Sequence, residues 1–177
     1  MKNHLEVEYT KYEFAKLSFE ECIEYLDLYE KHIMKFSNDE SIFTRALTKS
    51  FIITYSRSFT ANNPAYGYGG GSIKTGWLKK LSIELQDLHQ FIVGRGRNSL
   101  LAHIDIEELN PNIFLKENQK GYVFDWPIPM FDAERNHLFR ELANQAKDYC
   151  IEHQNKIKPK LKTEHIFPVH VIKSTEK

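Results

Sequence analysis

The chain has 177 residues, 41% of them hydrophobic and 27% charged, with Lys plus Arg equal to Asp plus Glu at 24 each. That length fits one domain, and the balance is that of a globular chain rather than a disordered one. A formal net charge of zero excludes a protein that coats nucleic acid through bulk charge, because phosphate neutralisation drives such binding.

The two cysteines, Cys22 and Cys150, form no CxxC pair, and no HExxH occurs. A cysteine-built zinc site and a helix-borne metal site are therefore not expected, and neither is a cofactor. A disulfide between the two cysteines stays open. Met1 to Glu8 lacks an apolar leader, and no run of about 18 apolar residues follows. The expected location is cytoplasmic, with no membrane partner.

In chain order, residues 1–17 read as an N-terminal arm. Ser18-Phe19-Glu20-Glu21 has the S-x-x-E form of a capping box and predicts a helix start. Phe19, Cys22, Ile23, Leu26, Tyr29 and Ile33 then recur mostly at three- and four-residue steps. Asn38 or Asp39 is expected to cap a second helix ending near Ser58, with Phe43, Ala46, Leu47, Phe51 and Thr54 on one stripe. Residues 59–76 read as a glycine-rich surface loop, since Gly67 and Gly69-Gly70-Gly71 oppose regular structure. It lacks GxxxxGK[ST] and a leading apolar strand, which argues against a phosphate cradle. Its Phe59, Tyr66 and Tyr68 are candidates for stacking on bases.

A third helix carries Leu78, Leu81, Leu85, Leu88 and Ile92 as a bundle-facing seam. The seam stops at Gly94-Arg95-Gly96-Arg97, where each glycine weakens a helix by about 1 kcal/mol relative to alanine. A kink or fray is expected there. Asn110-Pro111 ends any helix. Asn112 to Glu117 and Tyr122 to Trp126 read as a short hairpin joined by Asn118-Gln119-Lys120-Gly121. Asp132 is expected to cap a last long helix with Phe139, Leu142, Ala146, Cys150 and Ile157 on its stripe. Residues 158–177 read as a tail, and Lys156 to Lys162 is the one strong basic bias, read as a solvated stretch. The fold class is mainly α: a single domain over 1–177, an antiparallel four- to five-helix bundle with a small β-hairpin insertion between the last two long helices.

Chemistry is densest after the third seam, where Arg95, Arg97, Asn98, His103 and Asp105 follow closely. Arginine offers a permanently charged donor fork suited to phosphate. Histidine titrates near neutrality and can move a proton. Asn98 could bind a phosphate or orient the imidazole, and Asp105 could hold the His103 tautomer. These parts match metal-independent RNA cleavage, which needs a base for the 2′-hydroxyl and a cation for the phosphate. The more ordinary reading of the same residues is that Arg97, Asn98 and Asp105 cap a kinked helix end, with His103 an interior histidine. Six helical positions turn about 600°, so Arg97 and His103 meet only through a break at the glycines or across a two-fold axis.

The segment Leu88-His89-Gln90-Phe91-Ile92-Val93-Gly94-Arg95-Gly96-Arg97-Asn98-Ser99-Leu100-Leu101-Ala102-His103-Ile104-Asp105 resembles the signature of HEPN-like bacterial proteins, an arginine with a polar neighbour and then a histidine. Ser56-Arg57-Ser58-Phe59-Thr60 resembles a piece of one uncharacterised branch, and the similarity covers roughly residues 40–106. The resemblance implies a dimeric antiparallel bundle with both motifs around a shared cleft. It implies Arg97, Asn98 and His103 as catalytic residues, and Arg95, Arg57 and Asp105 as substrate-binding ones. The implied activity is that of a metal-independent endoribonuclease in a stress, toxin–antitoxin or defence system. The implied partners are a second copy, RNA or a nucleotide, and a cognate protein. Some HEPN proteins bind nucleotides or partners without cutting, so a noncatalytic dimer is the alternative. Gly94 and Gly96 depart from the family pattern by crowding the motif with helix breakers.

Overall fold

In the computed structural model, which describes residues 4–36, 42–60, 72–96, 111–116, 119–124, 131 and 134–161, helix α1 runs unbroken over 33 residues from His4 to Phe36. Its seam explains the length. Tyr12, Ala15, Phe19, Cys22, Leu26 and Tyr29 alternate three- and four-residue steps, and all are buried. This is the spacing that keeps one stripe against a partner. The seam starts two turns before the expected capping box, so residues 4–17 belong to the helix and are not an arm. The Ser18 hydroxyl instead donates to the Phe14 carbonyl at 3.0 Å, the back-bond of a serine inside a helix.

Helix α2 (Ile42–Arg57) runs antiparallel to α1, as shown by His32 against Phe43, Cys22 against Phe51 and Phe19 against Tyr55. Leu47, Phe51 and Thr54 of the expected stripe are buried, but the face is shifted: Phe43 and Ala46 are exposed, while Thr44 and Thr48 are buried in their place. Thr48 shows why a hydroxyl can sit there. It donates to the Thr44 carbonyl at 3.0 Å and accepts from the Phe131 amide at 3.1 Å. A buried polar group costs little when both of its bonds are made.

The expected third helix is divided. A 3-10 helix, Gly76–Lys80, precedes α3 (Ile83–Gln90), and Ser82 between them caps α3 by accepting from the Leu85 amide at 3.3 Å. A serine cap satisfies a donor that a continuous helix would have paired internally. Leu78, Leu81 and Leu88 pack only partly against the core, whereas Leu85 and Ile92 are buried. After a π turn over Phe91–Gly96 come two antiparallel strands, β1 (Pro111–Lys116) and β2 (Gln119–Phe124). Their register pairs Pro111 with Phe124 and Lys116 with Gln119, so the second strand begins earlier than Tyr122.

Helix α4 (Asn136–Ile157) follows the expected stripe, with Phe139, Leu142, Ala146, Cys150 and Ile157 buried. Asp132, expected as its cap, lies outside the described residues. The helix packs antiparallel along α1. At one end Asn136 donates to Glu30 at 2.7 Å, and Arg140 bridges Asp27 and Glu30 at 2.9 and 3.0 Å. At the other end Gln154 donates to Glu13 at 2.6 Å and His153 meets Glu8 at 3.2 Å. That His153 hydrogen bond is the leading cause holding the Glu8 carboxyl below the usual range. The chain then makes a short 3-10 turn, Lys158–Lys160, with exposed lysines.

The core is centred on Phe51, whose ring lies 5.5 Å from Phe131 and 5.3 Å from Phe139, both edge-to-face. Such pairs add about 0.5–1.5 kcal/mol each beyond area burial. Cys22 and Cys150 are both free and buried. No described helix is long and apolar enough to cross a membrane.

Candidate functional site

The motif expected to carry chemistry is approached through α3, and two side chains at the end of α2 fix that approach. Tyr55 Oη lies 2.9 Å from His89 Nδ1, and Ser56 Oγ donates to the Ile92 carbonyl at 3.2 Å. Tyr55, Ser56 and Ile92 are fully buried, and His89 is 8% exposed. The sequence marks His89 only as a residue upstream of the motif and does not mark Tyr55 at all. Their pairing spans 34 positions and leaves no periodic signal.

His89 sits in an aromatic box. Phe59 stands edge-on at 4.6 Å, Tyr55 at 5.8 Å and Trp77 at 6.4 Å. Desolvation in this box lowers the imidazole to about 4 from its ordinary 6.5. Burial likewise pushes the Tyr55 phenol well above its usual range. Both groups are therefore neutral at pH 7. The phenol and the imidazole thus share a hydrogen bond between two neutral groups, its direction set by the tautomer of the ring. Phe59 is part of this core and packs on Phe19 at 5.9 Å, so it is not a loop aromatic open to a base. Tyr66 and Tyr68 lie outside the described residues.

The helix changes character directly after His89. Phe91–Gly96 forms a π turn, in which hydrogen bonds span five residues rather than four. The expected irregularity at the glycines thus takes the form of a wider turn. At Gly94 an added Cβ would meet nothing within 4 Å, so no steric demand requires a glycine there. Arg95 belongs to this turn. Arg97, Asn98, His103 and Asp105 lie outside the described residues. Arg57 closes α2 and is exposed, one residue beyond the Ser56 contact with the turn. The structure therefore brings the Arg57 end of α2 against the turn that leads to Arg97.

A concavity of about 470 Å³ lies between Lys74–Leu85 and α4. Its floor includes Trp77 stacked on Tyr149 at 5.6 Å and 22°. Lys74, Lys80 and Lys156 line it together with Glu141, Asp148 and Glu152. The three cationic and three anionic side chains leave the lining with no net formal charge. Among the described residues, no group of three or more His, Cys, Asp or Glu side chains is placed to hold a metal. In comparisons with known proteins, the chain matches no family model, no curated protein and no solved structure.

Proposed function

We propose that the protein is a HEPN-like, metal-independent endoribonuclease of a stress, toxin–antitoxin or defence system, acting in the cytoplasm as a homodimer with a cognate protein partner. The hairpin β1–β2 would be an insertion in that bundle. The observation that supports this reading is the Arg97-Asn98-x4-His103 segment, following a bundle helix whose end is packed against the Arg57 end of α2. In the proposed reaction His103 takes the proton of a ribose 2′-hydroxyl. The 2′-oxygen attacks the adjacent phosphorus, the P–O5′ bond breaks, and the 5′-oxygen leaves with a proton from solvent or from the partner's motif. A 2′,3′-cyclic phosphate and a 5′-hydroxyl end result. Arg97 stabilises charge on the phosphate oxygens, with Asn98 as its polar neighbour and Arg95, Arg57 and Asp105 as substrate contacts.

The test is cleavage of diverse RNAs in the presence of a chelator, comparing wild type with Arg97→Ala and His103→Ala, and checking folding by circular dichroism. Loss of at least about 100-fold in each folded variant is expected for a general base or a phosphate-stabilising cation. Cleavage that survives His103→Ala overturns the reading. The π turn, which interrupts the helix ahead of the motif, favours one alternative, a noncatalytic dimer that holds a nucleotide, a phosphate or a protein partner. That alternative expects ligand binding that depends on Arg97 and not on His103, with no cleavage by wild type.

A further inference from the structure

Seven large hydrophobic side chains are exposed among the described residues, and five of them lie on the outer side of the α1–α2 pair. Phe14, Leu17 and Leu28 stand on α1 outside its buried seam, 65%, 48% and 46% exposed. Phe43 and Ile53 stand on α2 away from the buried Thr44, Thr48 and Phe51, 41% and 48% exposed. Large apolar side chains gathered on one face mark a contact surface. The charges of this pair are divided between its helices. Between Phe14 and Leu28, α1 carries Glu20, Glu21, Glu24 and Asp27 against Lys16, whereas α2 carries Arg45, Lys49 and Arg57 and no acidic residue.

We propose that this face is where two copies of the chain meet, related by a two-fold axis that runs parallel to the helices. The proposal gives an interface to the homodimer of the proposed function, and it rests on that dimer and not on the ribonuclease chemistry. Such an axis lays α1 of each copy along α2 of the other, acidic helix on basic helix, and symmetry makes the contact twice. An axis across the helices would set α1 on α1 and α2 on α2, like charge on like. The register agrees with the first arrangement. The Phe19–Tyr55 and Cys22–Phe51 contacts put Leu28 level with Ala46, Glu24 level with Lys49 and Glu21 level with Ile53. A parallel axis keeps those levels, so Leu28 meets the exposed Ala46 of the second copy and Glu24 meets its Lys49. The same axis brings both Arg57 ends of α2, with the Phe91–Gly96 turns bonded to them through Ser56, to one end of the dimer.

The experiment is sedimentation equilibrium of the full chain at up to about 100 μM, where interfaces of ordinary size self-associate, with folding checked by circular dichroism. Wild type is expected at twice its 20.9 kDa. Ile53→Glu, which sets a carboxylate against Glu21 of the second copy, is expected to stay monomeric. Ile83→Glu, at a site on α3 that is 78% exposed, is expected to leave the dimer intact. Glu24→Lys and Lys49→Glu are each expected to raise the dimer Kd at least about tenfold, because each sets like charges together twice. Mixed one to one, they pair opposite charges again and are expected to recover a Kd within about threefold of wild type. These two variants decide the question if Ile53→Glu does not fold. A wild type that stays monomeric overturns the proposal and the homodimer with it. A dimer that persists in Ile53→Glu, or that Glu24→Lys strengthens, overturns the proposal and leaves the homodimer standing. The mass is read without RNA, so an absence of cleavage by wild type fails the ribonuclease reading separately.

Discussion

His89 makes the stability of this fold depend on pH in a calculable way. Its folded value of about 4 lies below the ordinary 6.5, so the unfolded chain binds the extra proton first. A histidine depressed in this way contributes stability that is complete above about pH 6.5 and is lost as pH falls toward 4. Between pH 7 and pH 5 the two values give a loss of about 2 kcal/mol from this one group. The figure applies to a ring 8% exposed and boxed by Tyr55, Phe59 and Trp77. Ending at pH 5 keeps most carboxylates ionised, so the histidine dominates the window. The assay is urea unfolding at pH 7, 6 and 5 for wild type and His89→Gln, with the difference in pH dependence taken between them. Contributions from the other histidines cancel in that difference. Wild type is expected to lose about 2 kcal/mol more than the variant between pH 7 and pH 5. Equal losses in the two proteins would refute the claim that His89 is buried and neutral.

Three further outcomes follow from the packing. Thr48→Val keeps the shape but leaves the buried Phe131 amide without its acceptor, and chemical denaturation is expected to show a loss of about 1–3 kcal/mol. Gly94→Ala adds a methyl group where nothing lies within 4 Å, so the melting temperature should rise, by up to about 1 kcal/mol in stability; a drop would mean that the turn needs glycine's freedom. Burial pushes the Cys22 thiol well up and the Cys150 thiol to about 12, so a thiol reagent at pH 8 should modify neither in the native protein and both in urea. Rapid native labelling would contradict their burial.

Sequence periodicity determined which faces of α1 and α4 are apolar, because a three- and four-residue rhythm leaves helices few ways to bury their large side chains. Phe19, Cys22, Leu26 and Tyr29 carry that rhythm in the sequence alone, as do Phe139, Leu142, Ala146 and Cys150, and all of them are buried. The start of α1 was hidden by Ser18 and Glu21, which copy a capping box wherever they fall, while the decisive seam residues Tyr12 and Ala15 lie upstream. The buried face of α2 was hidden by its threonines. A threonine's place depends on whether its hydroxyl finds a partner, and Thr48 finds Phe131, 83 positions away. The motif residues Arg97, Asn98 and His103 could be named from the sequence, as could an irregularity at Gly94 and Gly96. That the irregularity is a π turn, bonded by the Ser56 hydroxyl at Ile92 and preceded by a neutral His89, was decided by tertiary structure. Hydrogen bonding and desolvation between distant elements set such features, and no local pattern encodes them.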